Sequence, residues 1–306
     1  MPDETRHDRA DRIDDYMGYA IAEIGNALDP KLTIPNWRDI VSGMAKHNDA
    51  ARRKNPPKTF RYADHDRGVL DLYASGVPTG APALMFFHGG GFNLLSKDDM
   101  AFGAPAFNAA GIAYIAPSYP LAPDASLPEL LSFTQRAAKW VYQNAQKLGI
   151  ARDRIYVSGA SAGGFISAYL LTTDWTQFGL PRSIFKGGMP LNAVFDAKPL
   201  HLSPGWRYRG LVPEGVEACS PISRMRDLVD PVFVAWAEDE PPLLSASSRQ
   251  FADAACERGL LLETYVAPGR NHFNMVLDLI DSRSMLFRKM ADMISAGGLD
   301  ERRTQA

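Results

Sequence analysis

The chain has 306 residues, 46% of them hydrophobic, and a formal net charge of −2. That is enough apolar material for one large core, and the near-neutral balance gives no basis for binding nucleic acid or an anionic membrane surface. Two cysteines, Cys219 and Cys256, exclude a disulfide framework and offer no metal-ligand spacing.

In chain order, the charged start Met1–Asp8 lacks the apolar core of a signal segment. No uninterrupted apolar run approaches the roughly 18 residues of a spanning helix. The expectation is a cytoplasmic protein that engages neither membrane nor nucleic acid. Ile34, Trp37, Ile40, Val41 and Met44 recur at three- and four-residue spacing, which predicts an amphipathic helix; Tyr16–Leu28 reads as an earlier one. Asn55-Pro56-Pro57 breaks the arm. Residues 1–58 therefore read as an N-terminal helical arm whose apolar faces need something to cover, and a cap over an active-site mouth is the preferred reading.

Residues 59–306 read as the catalytic domain. Phe60–Tyr62 and Val69–Tyr73 alternate like an antiparallel pair. Further strands are expected at Ala83–Phe87, Ala113–Ser118, Arg154–Gly159, Gly188–Phe195, Pro231–Ala237 and Leu261–Val266. Helices are expected near Asp98–Ala110, Leu127–Leu148, Phe165–Leu171, Leu244–Arg258 and Phe273–Ile294, with an insertion at about 197–220. Strands alternating with helices give an α/β fold with a mostly parallel, doubly wound sheet.

Three stretches carry chemistry. Gly159-Ala160-Ser161-Ala162-Gly163 stands between a strand and a helix as a G-x-S-x-G elbow, the sharp turn that lifts a serine hydroxyl above a sheet. A serine needs a base and an orienting acid, here expected after later strands in the order Ser, Asp/Glu, His. His272 follows the last strand, and Glu238-Asp239-Glu240 ends the one before it. The usual G/A-x-x-D/E-P form places the acid at Glu240, with Asp239 as the competitor one residue away. His88-Gly89-Gly90-Gly91 follows the strand Ala83–Phe87, where glycines let backbone N–H groups approach a developing oxyanion. His88 itself reads as a loop brace. The N–H of Ala162, next after the nucleophile, is a further oxyanion donor.

His88-Gly89-Gly90-Gly91-Phe92, the Gly159–Gly164 elbow and Tyr119-Pro120-Leu121-Ala122-Pro123 together resemble the hormone-sensitive-lipase-like branch of the α/β-hydrolases. Within that branch the chain resembles bacterial arylformamidase (kynurenine formamidase)-like proteins at Ser96–Phe102, Trp140–Ala145, Thr173-Asp174-Trp175 and Ser220-Pro221-Ile222. It departs from them in carrying Gly91-Phe92 in place of an aromatic pair, Ala160 before the serine, and Ser118 before Tyr119. The resemblance implies an α/β-hydrolase fold with oxyanion donors at Gly90, Gly91 and Ala162, Gly89 being a further candidate.

The expected catalytic set is Ser161, His272 and Glu240, with Phe92, Trp206 and Tyr208 as candidate pocket aromatics; Trp206 reads equally as a core anchor of the insertion. No metal and no organic cofactor is implied, the expected partner is a small-molecule ester or amide, and a homodimer is allowed for. The expected reaction is hydrolysis of a small or aryl carboxylic ester through an acyl-enzyme, with amide or formamide hydrolysis as the alternative. A non-catalytic ligand receptor on the same fold is the remote one.

Overall fold

A computed structural model describes residues 16–203, 210 and 212–297. Eight strands form one sheet: β1 (Lys58–Arg61), β2 (Val69–Tyr73), β3 (Ala81–Phe87), β4 (Ala113–Pro117), β5 (Ile150–Ala160), β6 (Gly187–Leu191), β7 (Val232–Asp239) and β8 (Leu261–Asn271). Their order across the sheet is β1-β2-β4-β3-β5-β6-β7-β8. The β1–β2 pair, in register at Phe60↔Leu70, and the β2–β4 pair are antiparallel; all other neighbours run parallel.

The central strands read as continuous apolar runs because both faces of the sheet are covered. Alternate residues go to opposite sides. Ala83, Met85 and Phe87 of β3, with Val232, Val234 and Trp236 of β7, join helices α5 (Leu127–Gln143), α7 (Ala162–Leu171) and α10 (Pro242–Glu257) in one core layer. Leu84 and Phe86, with Phe233, Ala235 and Ala237, face α4 (Ala104–Ala109) and α11 (Met285–Ser295) in the other. Helix α5 is started by Ser126, whose backbone N–H donates to Glu129 Oε2 at 2.7 Å, closing a capping box with the donor at the Glu129 amide.

The order β4-β3-β5 makes the ends of β3 and β5 a topological switch point, where a doubly wound sheet opens a crevice. The strand ends that follow across the sheet deliver residues to the same rim: Asn192 after β6, Glu240 after β7, His272 after β8.

Three helices precede the sheet: α1 (Ile21–Leu28), α2 (Pro30–Thr33) and α3 (Trp37–Lys54). Helix α1 buries Ile24, Ala27 and Leu28 and packs on α10 and on α8 (Lys198–Leu202); burial stabilises by roughly 1.5–3 kcal/mol for each of Ile24 and Leu28. Helix α3 is different. Its apolar positions Trp37, Ile40, Val41 and Met44 are only half-buried, and its fully buried residues are Asn48 and Ala51. Polar ties hold it: Phe102 N donates to Asn48 Oδ1 at 3.0 Å, and Arg52 Nη1 lies 2.9 Å from the buried carboxylate of Asp71. Arg52, Arg53 and Lys54 in its last turn complement the helix dipole.

Several expected elements differ in extent. The helix expected over Leu127–Leu148 is interrupted at Asn144, with α6 (Ala145–Leu148) following α5. The one expected over Phe273–Ile294 splits into a 3₁₀ turn at Met275–Ile280 and α11, because Ser284 caps the new helix by accepting from Phe287 N at 3.1 Å. The insertion holds α8 and α9 (Pro213–Cys219). Strand β6 stops at Leu191, well short of Phe195, since Asn192 turns the backbone to φ +36°.

Candidate active site

Ser161 occupies the single residue between β5 and α7, at φ +58° and ψ −121°. A serine is strained there, and the surroundings impose it. A Cβ on Gly163 would lie 2.0 Å from Phe87 O, so only glycine lets α7 start so close to β3. The Ser161 N–H donates to Leu191 O at 3.1 Å, pinning the turn to the end of β6.

Across the rim, β7 and β8 stay paired past their expected ends. A register shift between Ala237 and Asp239 sets Asp239 opposite Asn271, which makes Glu240 and His272 neighbours. The three acidic residues then separate. Glu238 accepts from Gly269 N at 2.8 Å, Asp239 is exposed, and Glu240 turns inward to a short hydrogen bond with His272 Nδ1. The structure thus brings Glu240, and not Asp239, to the imidazole. Burial pushes the Glu240 carboxyl above the usual carboxylate range, against the opposing pull of the adjacent imidazole. A proton on Nδ1 directed at Glu240 leaves Nε2 as the acceptor of the ring.

The glycine loop faces this pair from β3. Gly90 adopts φ +87°, and a Cβ on it would lie 2.4 Å from Leu94 O. His88 Nδ1 bonds Gly89 O at 2.9 Å, and Asn93 N and Leu94 N donate to Gly90 O at 3.1 and 3.0 Å. Each trans peptide sends its N–H opposite to its C=O, so these bonds fix the directions of the Gly90 and Gly91 amides. His88 is wholly buried, stacked on Tyr119 at 4.0 Å and 5°, and burial pushes its imidazole down to about 3. It is therefore neutral, in the position of a brace.

Ser161 and His272 line two adjoining cavities. One, of ≈ 30 Å³, is enclosed by Leu28, Phe92, Phe165, Val194, Leu200 and Leu244, with Gly91 and Ala162 beside the serine. Phe92 meets Phe165 edge-on at 5.5 Å. The other, of ≈ 500 Å³, reaches from Gly89, Gly90 and Gly91 to helix α3, where Trp37, Val41, Met44 and Asn48 form the far wall. Trp37 stacks on Phe273 at 6.0 Å and 27°, with the Arg38 guanidinium 4.5 Å over its ring. Asp29, Lys31 and Asp99 add charge to this lining.

All six expected catalytic and oxyanion residues thus gather at one rim, and Phe92 lines the smaller cavity. Trp206 and Tyr208 lie outside the described residues. Sequence reasoning did not single out Asn192, whose side chain touches His272, or name Trp37 as a pocket residue. The signals were present: a polar residue ending a buried strand, and a tryptophan on an amphipathic helix with a long polar face.

Comparison with known proteins agrees with this fold. A family of the α/β-hydrolase fold matches residues 84–194. A kynurenine formamidase of Danio rerio is 26% identical over 240 residues, covering 76% of this chain and 80% of its own. The carboxylesterase NlhH of Mycobacterium tuberculosis is 38% identical over 157 residues, 51% of this chain and 44% of its own. Among solved structures, esterase B from Lactobacillus rhamnosis superposes with a TM-score of 0.68 at 15% identity, covering 90% of this chain and 98% of that one. The hyperthermophilic esterase from Pyrobaculum calidifontis does so at 0.66 and 20%, covering 91% and 92%.

Proposed function

We infer, for a chain that has the α/β-hydrolase fold and is a hydrolase, that Ser161, His272 and Glu240 act as a nucleophile, base and acid on carboxylic esters. In this reading Ser161 Oγ attacks the carbonyl while His272 Nε2 takes its proton, and Glu240 orients the ring and stabilises the imidazolium. The Gly90, Gly91 and Ala162 amides hold the oxyanion. The imidazolium then returns its proton to the leaving alcohol. Water, deprotonated by His272, releases the acid and frees Ser161.

The observation that carries this reading is the inward turn of Glu240 onto His272 Nδ1, with Ser161 and His272 lining the same cavities. The unequal cavities support a substrate class within this reading. A space of ≈ 30 Å³ has room for about one or two water-sized groups, which suits a formyl or acetyl group beside the oxyanion donors. The ≈ 500 Å³ cavity, walled by Trp37 and Phe273, suits an aromatic leaving group. The N-terminal arm then acts as a cap: Leu28 and Pro30 close the small space and α3 walls the large one.

A second reading, hydrolysis of an aryl formamide, is favoured by the formyl-sized space and by the formamidase relative that aligns over 76% of the chain. Under either reading we propose a cytoplasmic protein, a compartment in which Cys219 and Cys256 would stay reduced. The test is a hydrolysis panel of p-nitrophenyl formate, acetate, butyrate and octanoate beside N-formylkynurenine and formanilides. The reading expects kcat/KM to fall steeply beyond acetate; a maximum at octanoate would contradict it. Faster turnover of the formamides than of the matched esters would select the second reading.

A further inference from the structure

Asn192 belongs to no motif, yet it stands beside the residue that pins the elbow and bonds to both the strand that leads to Glu240 and His272 itself. It follows Leu191, whose carbonyl accepts the Ser161 N–H at 3.1 Å. Its own N–H donates to Ala235 O on β7 at 2.8 Å, five residues before Glu240. Its side chain reaches β8, where Nδ2 donates to the backbone carbonyl of His272 at 2.9 Å and stands 3.4 Å from His272 Nδ1.

The residue is wholly buried and held at φ +36°, where an L side chain is strained. Its Oδ1 is buried without a hydrogen-bond partner. Turning the amide over would not relieve this, because Oδ1 would then face the His272 carbonyl oxygen in place of a donor. In the triad reading Nδ1 carries the proton directed at Glu240, so it offers the Asn192 amide nothing to donate to. The side chain's one good hydrogen bond is the bond to the His272 carbonyl. Backbone strain and an unsatisfied acceptor are both unfavourable, and their coincidence at one rim position marks a local role.

We propose that Asn192 is a positioning residue for His272: its amide clamps the His272 carbonyl and holds the imidazole between Glu240 and Ser161. The proposal rests on the triad reading given above. His272 stands at the end of β8, the last strand in the sheet, so it has a strand partner on one side only. The clamp supplies a second fixed point from β6, two strands away. A general base displaced by about 1 Å loses on the order of 100-fold in rate.

The test compares Asn192→Gly with Asn192→Ala in the full chain. Both remove the clamp, but glycine relieves the backbone strain while alanine keeps it. A residue with a purely structural role would give variants of different thermal stability and unchanged turnover. The clamp predicts instead that both lose up to about 100-fold in kcat, with KM within about twofold. The rate of Ser161 labelling by an aryl phosphonate should fall by the same factor. Wild-type kcat in Asn192→Gly, beside an inactive Ser161→Ala, would overturn the clamp and leave the triad standing. An active Ser161→Ala would overturn the triad reading and the clamp with it.

Discussion

Ser161 and Trp37 line the same cavity, one from the rim of the sheet and the other from helix α3, and they are held by unlike means. At the rim, position is over-determined. Ser161 is fixed at φ +58° by a glycine that admits α7 against β3 and by the bond of its N–H to Leu191 O. Glu240 and His272 are set by the pairing of two long strands. Over the rim, Trp37 is half-buried on a helix that contributes Asn48 and Ala51 to the interior and is tied down by polar bonds. Rigid backbone suits groups whose sub-ångström placement sets a rate, whereas a half-covered helix face suits recognition of a leaving group.

That contrast is broken most severely at the nucleophile. Ser161→Ala should lower kcat by roughly 10⁶-fold with an unchanged unfolding midpoint, read by steady-state kinetics and thermal melting. Glu240→Gln should follow at about 10⁴-fold, because the amide keeps the shape but removes the charge facing the imidazolium. Trp37→Ala should act on the other axis: KM for aryl substrates should rise about 3- to 10-fold, matching the loss of an aromatic contact, while kcat holds. A comparable fall in kcat would show that the roof, too, positions the reaction. Asp239→Asn should be the smallest, with stability changed by about 0.5 kcal/mol or less and kcat near that of the wild type.

Most of the rim was legible in the sequence because its backbone demands leave few alternatives. A strained elbow needs small flanking residues, and an oxyanion loop needs glycine at φ +87°. The Ala237-to-Pro241 pattern favoured Glu240, with Asp239 as a close competitor because side chains alternate along a strand and a one-residue slip reverses them. The register shift between Ala237 and Asp239 sets which carboxylate meets His272, and the carboxylate it brings there is the one that precedes Pro241. The roof was legible only as an amphipathic pattern. The spacing of Trp37, Val41 and Met44 predicts a helix with an apolar face, yet that face borders a cavity where a core would ordinarily sit. The 3₁₀ turn at Met275–Ile280 was missed because its apolar residues continue the helical period of α11.

Reaction with an aryl phosphonate ester tests the central claim most directly, since it asks for the nucleophile, the oxyanion site and the base together. Intact mass and peptide mapping of the wild-type chain should find one phosphonyl group per chain, on Ser161, with release of one aryl leaving group. Ser161→Ala should take up none, and Glu240→Gln should react far more slowly. Stoichiometric labelling of any other residue, or undiminished labelling of Ser161→Ala, would contradict the account.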